Sequence, residues 1–492
     1  MYSNKENVNI LTALLTAYGV RHAVVCPGSR NAPIVHNFNE CSDMVCFPVT
    51  DERSAGFYAL GMAQAMGQPV VVCVTSGSAL LNLLPAVAEA FYQHVPLIVV
   101  SADRPPQWIG QQDGQTMPQP DALGRFVKRA VTLPEPHDGE ERWYCNRLVN
   151  EALLAVRHHG DGPVHINVPI SEPLYEFSVS TLPQERSISR ETATLAPQVV
   201  EQVAARLSQA ERAWVIAGLG CREPLAPWML ATNRLAEALA AGQQSVPDFV
   251  LYLGGTLVSK PLKAFLRQSG TETWMVSEDG EVHDVTMNLS RIIECDPVTL
   301  VAHLAPPVLS PLRQKTAASL QHVAVQCFEE SVGENAIVHY ANSTAVRLGV
   351  LYARHHFWCN RGLNGIEGSL STAAGCSLVT ERLICCVTGD LSFFYDQNAL
   401  WNQNLRGNLR ILLLNNGGGG IFSRFEGLKE SAARDRLVMA KHQTTAEGIC
   451  LQNRVGYQAV ASCGEMEQGM AWLLHTDSHR PLLLEVLLPP NT

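Results

Sequence analysis

The chain has 492 residues, 46% of them apolar, and a formal net charge of −10. That length exceeds one ordinary core and fits about three domains. The acid excess argues against nucleic acid or an anionic membrane surface as partner, and no stretch approaches the ~20 apolar residues of a membrane span. The first residues, Met1-Tyr2-Ser3-Asn4-Lys5-Glu6, lack the basic-then-apolar order of a signal peptide. The 14 cysteines are scattered without a Cys-x-x-Cys pair, as buried free thiols of a reducing cytoplasm would be.

In chain order, Asn7 to Tyr18 has apolar residues at helical spacing, closed by Gly19. His22 to Cys26 reads as a strand that opens into Pro27-Gly28-Ser29-Arg30. The pattern recurs at Pro69 to Thr75, which opens into Ser76-Gly77-Ser78, at Pro96 to Ser101, which opens into Ala102-Asp103-Arg104, and at Gly162 to Val168. Strands alternating with helical stretches predict a doubly wound parallel α/β sheet. Glu52 stands where a small-residue helical pattern begins, so spacing alone reads it as an acid placed on a helix N-terminus.

Ser187 to Pro197 reads as a linker. Beyond it, Val199 to Leu207 is helical, and Ala213 to Ala217 and Phe249 to Gly254 are strand-like. Gly218 and Gly220 are a weak nucleotide signal, without a third matching glycine or a ribose-binding acid. Lys260 reads as a loop lysine or as an active-face cation.

In the last third, Ile337 to Tyr340 is a strand leading to Ser343 and Arg347. The run Asn360-Arg361-Gly362 follows Trp358, a small-residue helix starts near Ser371, and Leu482 to Leu487 is a late strand. Two apolar runs dominate this part: Cys385 to Thr388 ends in Gly389-Asp390, and Ile411 to Leu414 ends in Asn415-Asn416 and Gly417 to Gly420. Either loop alone also reads as a turn. Together, with Asp390 and Asn416 26 residues apart, they offer hard oxygen ligands for Mg²⁺ and a backbone that can approach phosphates. Five cations, Arg30, Arg104, Lys260, Arg347 and Arg361, stand on loops after strands. Arginine matches carboxylates in a bidentate way, so the set predicts polyanionic substrates. His339 and His442 read as structural, and no His/Cys cluster suggests zinc.

Gly389-Asp390, a helix-length segment and Asn415-Asn416-Gly417 together resemble the cofactor motif of thiamine diphosphate enzymes. The resemblance implies three doubly wound domains: pyrimidine-binding at 1–185, middle at 190–320 and diphosphate-binding at 325–492. It implies that Asp390, Asn416 and the Gly418 carbonyl bind Mg²⁺ or Mn²⁺. The cofactor would lie against Ser29, Thr75, Leu391, Ser392, Gly420, Ile421 and Phe422, with Ile366 propping it in its bent form. Glu52 would then be the catalytic glutamate that bonds the aminopyrimidine nitrogen, in a desolvated site with a tuned pKa.

A narrower likeness lies in the loops. Pro27 to Arg30, Thr50 to Arg53, Thr75 to Gly77, Ala102-Asp103-Arg104-Pro105-Pro106, Asp113 to Thr116 and Glu172 to Tyr175 are similar, in this order, to the 2-succinyl-5-enolpyruvyl-6-hydroxy-3-cyclohexene-1-carboxylate synthases of menaquinone biosynthesis. That family implies decarboxylation of 2-oxoglutarate and 1,4-addition of the resulting succinyl carbanion equivalent to isochorismate. Ser29, Arg30, Arg104, Gln115, Lys260, Ser343, Arg347, Arg361, Ile421 and Phe422 match its substrate-binding positions. Gln115 and Ser343 would orient or protonate intermediates. The likeness implies a cytoplasmic dimer or tetramer whose site forms between subunits. Departures are Pro261, where some relatives carry Arg, and shortened stretches at 235–246, 328–336 and 352–357. The alternatives are another carboligase or decarboxylase of the cofactor family, or a non-catalytic nucleotide-binding protein of the same fold.

Overall fold

The computed structural model describes every residue except 193, 221, 243–244, 308–318 and 490–492, and it leaves aside the side chains of 423 and 424. Among the described residues, sixteen strands form three sheets. The first holds β1 (His22–Val25), β2 (Val45–Pro48), β3 (Val70–Val74), β4 (Leu97–Asp103), β5 (Ala130–Thr132) and β6 (Val164–Pro169), in the order β2-β1-β3-β4-β6-β5. The second holds β7 (Ala213–Ile216), β8 (Phe249–Tyr252), β9 (Thr273–Ser277) and β10 (Leu289–Glu294), in the order β10-β9-β8-β7. The third holds β11 (Ile337–Tyr340), β12 (Phe357–Trp358), β13 (Ile384–Gly389), β14 (Leu409–Asn415), β15 (Gly456–Val460) and β16 (Leu482–Leu487), in the order β12-β11-β13-β14-β16-β15. Its topology repeats that of the first sheet, and all pairings within the three sheets are parallel. The α/β expectation therefore holds.

Strands buried on both faces appear as continuous apolar runs, which is why β3, β4 and β14, buried at every position, are the plainest in the sequence. One apolar core unites the inner faces of the first and third sheets: Val70, Val72 and Val74 of β3 share it with Ile384, Cys386, Ile411 and Leu413. The other face of the third sheet, with Cys385, Val387, Leu412 and Leu414, shares a core with Phe249, Leu251 and Val276 of the middle sheet.

Between the first and third sheets lie two small-residue helices, Glu52–Met66 and Ser369–Leu378, which make the most extensive helix pair in the molecule. Their glycines let the backbones touch. A Cβ on Gly61 would lie 1.9 Å from the Thr372 carbonyl oxygen, and one on Gly375 would lie 2.1 Å from that of Tyr58. Asp51 caps the first of these helices through the Arg53 and Ser54 N–H groups, and Gly67 ends it at φ +62°. That crossing fixes where Glu52, the first residue of its helix, stands.

Most strands the sequence reading did not distinguish are short or half exposed, although β9, buried at four of its five positions, was also passed over. β5 has three residues and β12 two, and Val45 in β2 is 49% exposed. The Gly218–Gly220 pair has a packing role. Leu219 bridges Thr256 in antiparallel fashion, and a Cβ on Gly218 would lie 2.5 Å from the Thr256 nitrogen.

Candidate active site

The clamp loops leave adjacent central strands, β13 and β14, at their carboxyl ends, where open α/β sheets bind ligands. Asp390 starts the Asp390–Tyr395 helix and is 3% exposed. Its Oδ1 accepts the Leu391 N–H at 2.7 Å, and its Oδ2 accepts the Gly418 N–H at 2.8 Å. Burial raises its pKa above the usual carboxylate range, opposed by those N–H donors and by His442. Asn416 directly follows β14 and is partly buried. Its neighbour Asn415 is locked by Glu485, a fully buried carboxylate that also accepts from Ala446 N–H and the Tyr457 hydroxyl.

Gly418 adopts φ +146°, and a Cβ there would lie 2.8 Å from the Met439 carbonyl oxygen, so no other residue fits this turn. The Gly418 carbonyl accepts the Gly420 N–H at 2.8 Å. Ile421 and Phe422 occupy the short 3₁₀ segment Gly420–Arg424 that follows. Leu391 and Ser392 lie in the first turn of the Asp390 helix, and the Ser392 hydroxyl donates to the Ile366 carbonyl. Ile366 itself is 37% exposed.

On the first sheet, Glu52 Oε2 accepts from Asn82 Nδ2 at 3.3 Å in a partly open position. The flanks of Glu52 reach the third domain. Asn398 Nδ2 donates to Asp51 Oδ2, and Arg53 donates to the Tyr395 carbonyl while stacking on the Tyr395 ring. The Cys26 thiol, at the end of β1, is pushed well up by burial, with the Glu52 carboxylate adding to the effect. Thr75 is 6% exposed with its hydroxyl unpartnered, against the Gly28 turn where a Cβ would lie 2.3 Å from the Thr75 Cβ. Gln115 adopts φ +59° and Ser343 φ +73°, strained for non-glycine residues and of the kind that recurs at functional sites. Gln115 Nε2 reaches the Ser76 carbonyl at 3.5 Å.

The cations are held in different ways. Arg30 is 4% exposed and bonds the Ile170 carbonyl and Glu172, each at 2.9 Å. Arg104 sits 3.3 Å from Asp113 and donates to the Gly114 carbonyl, leaving its buried Nε unpartnered. Arg361 donates to Asn342 Oδ1 at 3.0 Å, and its Nε is likewise buried without a partner. Lys260, first residue of the Lys260–Ser269 helix, lies 5.9 Å over the Phe425 ring, and Pro261 occupies the first turn of that helix. Arg347 lies on the Thr344–Tyr352 helix and lines a cleft with Asn233, Glu237, Ser259 and His322. The described geometry thus joins Asp390, Gly418, Ser392, Ile366 and Arg361 through direct bonds and one short loop. Glu52, Arg30, Arg104, Gln115 and Ser29 belong to the first sheet's side of the molecule.

Sequence reasoning passed over several supports. His442, read as structural, has Nε2 3.3 Å from Asp390 Oδ2, without hydrogen-bond alignment. Beneath Arg104 runs a buried polar chain in which Asp103 accepts from Asn167, and Ser101 bonds both Asn167 and His165. Gln119 joins Asn167 to the Gly77 N–H. The signal for such a chain was polar residues inside otherwise apolar strands, Ser101, His165 and Asn167, all fully buried.

Residues 6–123 match the family model described as the thiamine pyrophosphate enzyme N-terminal TPP binding domain. A 2-succinyl-5-enolpyruvyl-6-hydroxy-3-cyclohexene-1-carboxylate synthase of Phocaeicola vulgatus is 42% identical over 99% of this chain and 96% of its own length. Proteins of the same name from Bacteroides thetaiotaomicron and Desulfotalea psychrophila are 41% and 34% identical over 100% and 99% of this chain and 97% and 99% of their own lengths. The first alignment spans 536 positions against 492 residues here, so at least 44 positions of that relative face a gap. Among solved structures, a benzoylformate decarboxylase from Polynucleobacter necessarius superposes with a TM-score of 0.75 over 100% of both chains at 16% identity, a likeness of fold. A thiamin diphosphate-dependent enzyme described as putative, from Mycobacterium smegmatis, superposes at 0.74 and 17% identity, over 98% of this chain and 99% of its own. The chain belongs to the 2-succinyl-5-enolpyruvyl-6-hydroxy-3-cyclohexene-1-carboxylate synthase family of thiamine diphosphate enzymes.

Proposed function

We propose that the protein decarboxylates 2-oxoglutarate and adds the remaining four-carbon unit to isochorismate, as a thiamine diphosphate- and Mg²⁺-dependent transferase of menaquinone biosynthesis. The observation that carries this reading is the loop 360–366. Arg361, with an unpartnered buried Nε, stands at one end, and Ile366, bonded through its carbonyl to Ser392, stands at the other. A cation with an unmet donor and a residue bonded to the Asp390 helix thus share one short loop, which supports a substrate carboxylate taken close to the cofactor.

The residues fit the cofactor. Asp390 is a buried carboxylate at a strand end, Gly418 forms a turn that a side chain would fill, and the Thr75 hydroxyl lacks a partner. Asp390, Asn416 and the Gly418 carbonyl would hold the divalent ion, Mg²⁺ or Mn²⁺, and with it the diphosphate. Once bound, the cofactor supplies the electron sink that lets a 2-oxoacid lose CO₂ and its acyl carbon act as a nucleophile. Glu52 would hold and return a proton at the aminopyrimidine nitrogen. Arg30, Arg104, Lys260, Arg347 and Arg361 would orient the carboxylates of both substrates, which turns a bimolecular encounter into a positioned one. Ser29, Gln115 and Ser343 would hold the polar groups of the substrates, and Ile421 and Phe422 would exclude water from the reacting carbon.

The working form is a homo-oligomer, dimer or tetramer, in the cytoplasm. Exposed Leu81, Ile366, Tyr395 and Trp401 near the Glu52 helix support a partner copy over this region. Among the described residues, no helix is long and apolar enough to cross a membrane. The test is isochorismate consumption by the purified protein with cofactor, Mg²⁺ and 2-oxoglutarate, omitting each in turn. Consumption that needs all three supports the reading. Turnover of 2-oxoacids without isochorismate would replace it with a simple decarboxylase.

A further inference from the structure

Glu89 lies on the Leu84–Tyr92 helix of the first domain and is 3% exposed. Its Oε1 accepts the Gly362 N–H at 2.7 Å, and its Oε2 accepts the Leu363 N–H at 2.7 Å. Gln93, one turn on, donates to Oε1. Burial raises the Glu89 pKa against these donors, with the nearby Glu367 carboxylate adding to the rise. So costly a buried acid calls for a purpose.

Both amides belong to the third domain and directly follow Arg361. The loop is pressed onto the helix: a Cβ on Gly362 would lie 3.0 Å from the Glu89 carbonyl oxygen and 3.1 Å from its Cδ. The rest of the loop is held from elsewhere. The Thr256 hydroxyl of the middle domain donates to the Arg361 carbonyl at 3.2 Å. Asn342 Nδ2 donates to the Asn360 and Gly365 carbonyls, each at 2.6 Å. All three domains thus meet on residues 360–366, and the first domain's hold there is a carboxylate.

We propose that Glu89 is a positioning residue: from the first domain it sets the Arg361 loop of the third, and so governs affinity for the substrate carboxylate that Arg361 takes. This rests on the proposed function of Arg361. Two consecutive N–H groups need two acceptor oxygens, which a carboxylate supplies. A carboxamide of the same shape has one, and its NH₂ would face an N–H. Substitution to Gln therefore removes the hold on one amide without opening a cavity.

The test compares the full-length wild type with Glu89→Gln and Glu89→Asp, with thiamine diphosphate and Mg²⁺. Amide hydrogen exchange over 360–366 is read by mass spectrometry, cofactor affinity by titration, and KM and kcat for 2-oxoglutarate and isochorismate by turnover. In Glu89→Gln, exchange over 360–366 rises about tenfold, KM for one carboxylate substrate rises about tenfold, and cofactor affinity and kcat stay within about threefold. Glu89→Asp keeps both acceptors on a shorter stem and falls between the two. Unchanged exchange in Glu89→Gln overturns the proposal. Faster exchange with unchanged KM, or a loss shared equally by cofactor affinity and kcat, also overturns it, since the residue would then be structural only. If Glu89→Gln does not fold, Glu89→Asp decides on the same readouts. An inactive wild type would instead overturn the functional reading, while the exchange arm still reports whether Glu89 holds the loop.

Discussion

Gly375→Ala is a small change at the crossing that fixes where Glu52 stands. The added Cβ would lie 2.1 Å from the Tyr58 carbonyl oxygen and 2.6 Å from the Tyr58 Cα. Unstrained contact needs about 3.5 Å, so the Glu52–Met66 and Ser369–Leu378 helices must part by roughly 1.4 Å. Both opposing atoms are backbone, which cannot swing aside as a side chain would. The cost belongs at the upper end of the ~1–3 kcal/mol seen for overpacked cores. The control is Gly464→Ala, in the Cys463–His475 helix with nothing within 4 Å of the new Cβ. It gains up to about 1 kcal/mol in helix propensity. The assay is urea unfolding followed by tryptophan fluorescence, with turnover in parallel. Gly375→Ala should lower the midpoint and reduce turnover more than cofactor affinity, because it displaces the helix that Glu52 begins. The double variant Gly61→Ala/Gly375→Ala should cost less than the two singles together, since the first separation makes room for the second. A Gly375→Ala midpoint equal to wild type would refute the reasoning.

Three further outcomes are expected. Asp396 is fully buried, its carboxyl pushed up by burial from 3.8 to about 6, against hydrogen bonds from the Ser371 N–H and hydroxyl. The native state holds that proton where the unfolded chain releases it, so this group's contribution falls as pH rises from about 4 to about 6, by about 3 kcal/mol in all. Asp396→Asn should match wild type near the bottom of that window and become relatively more stable above it; an advantage that does not grow with pH in denaturant midpoints contradicts this. Asp390→Ala should abolish Mg²⁺-dependent cofactor binding in calorimetric titration while the fold persists by circular dichroism, and retained affinity would remove Asp390 from the clamp. Glu52→Gln should keep cofactor affinity within a few fold and lower turnover by at least about a hundredfold, the usual scale of acid–base assistance; near-normal turnover would remove Glu52 from its assigned role.

What the sequence shows, and what it hides, follows from range. β11 and β16 run over Ile337–Tyr340 and Leu482–Leu487, as their apolar runs indicate, because a strand buried on both faces declares itself locally. Asp390 and Asn416 are placed for the same reason: each directly follows such a run, and the Gly418 turn just beyond admits no side chain. Glu89 is not legible, since its partner amides are 273 and 274 residues away and an acid inside an apolar helix carries no local mark of its task. Nor is the commitment of Arg30 to Glu172, 142 residues on. The small residues after Glu52 and Ser371 are visible as a composition, but only the crossing explains them: Gly61 and Gly375 sit where one helix backbone meets the other.

The most direct measurement follows the carbon atoms. 2-Oxoglutarate labelled at C1 is incubated with the holoenzyme, with and without isochorismate, and label is traced in CO₂ and product by mass spectrometry. The account predicts that C1 leaves as CO₂, that the other four carbons appear in a product carrying the isochorismate skeleton, and that product formation stops without Mg²⁺ or cofactor. A product that retains C1, or release of CO₂ with no joined product when isochorismate is present, would contradict it.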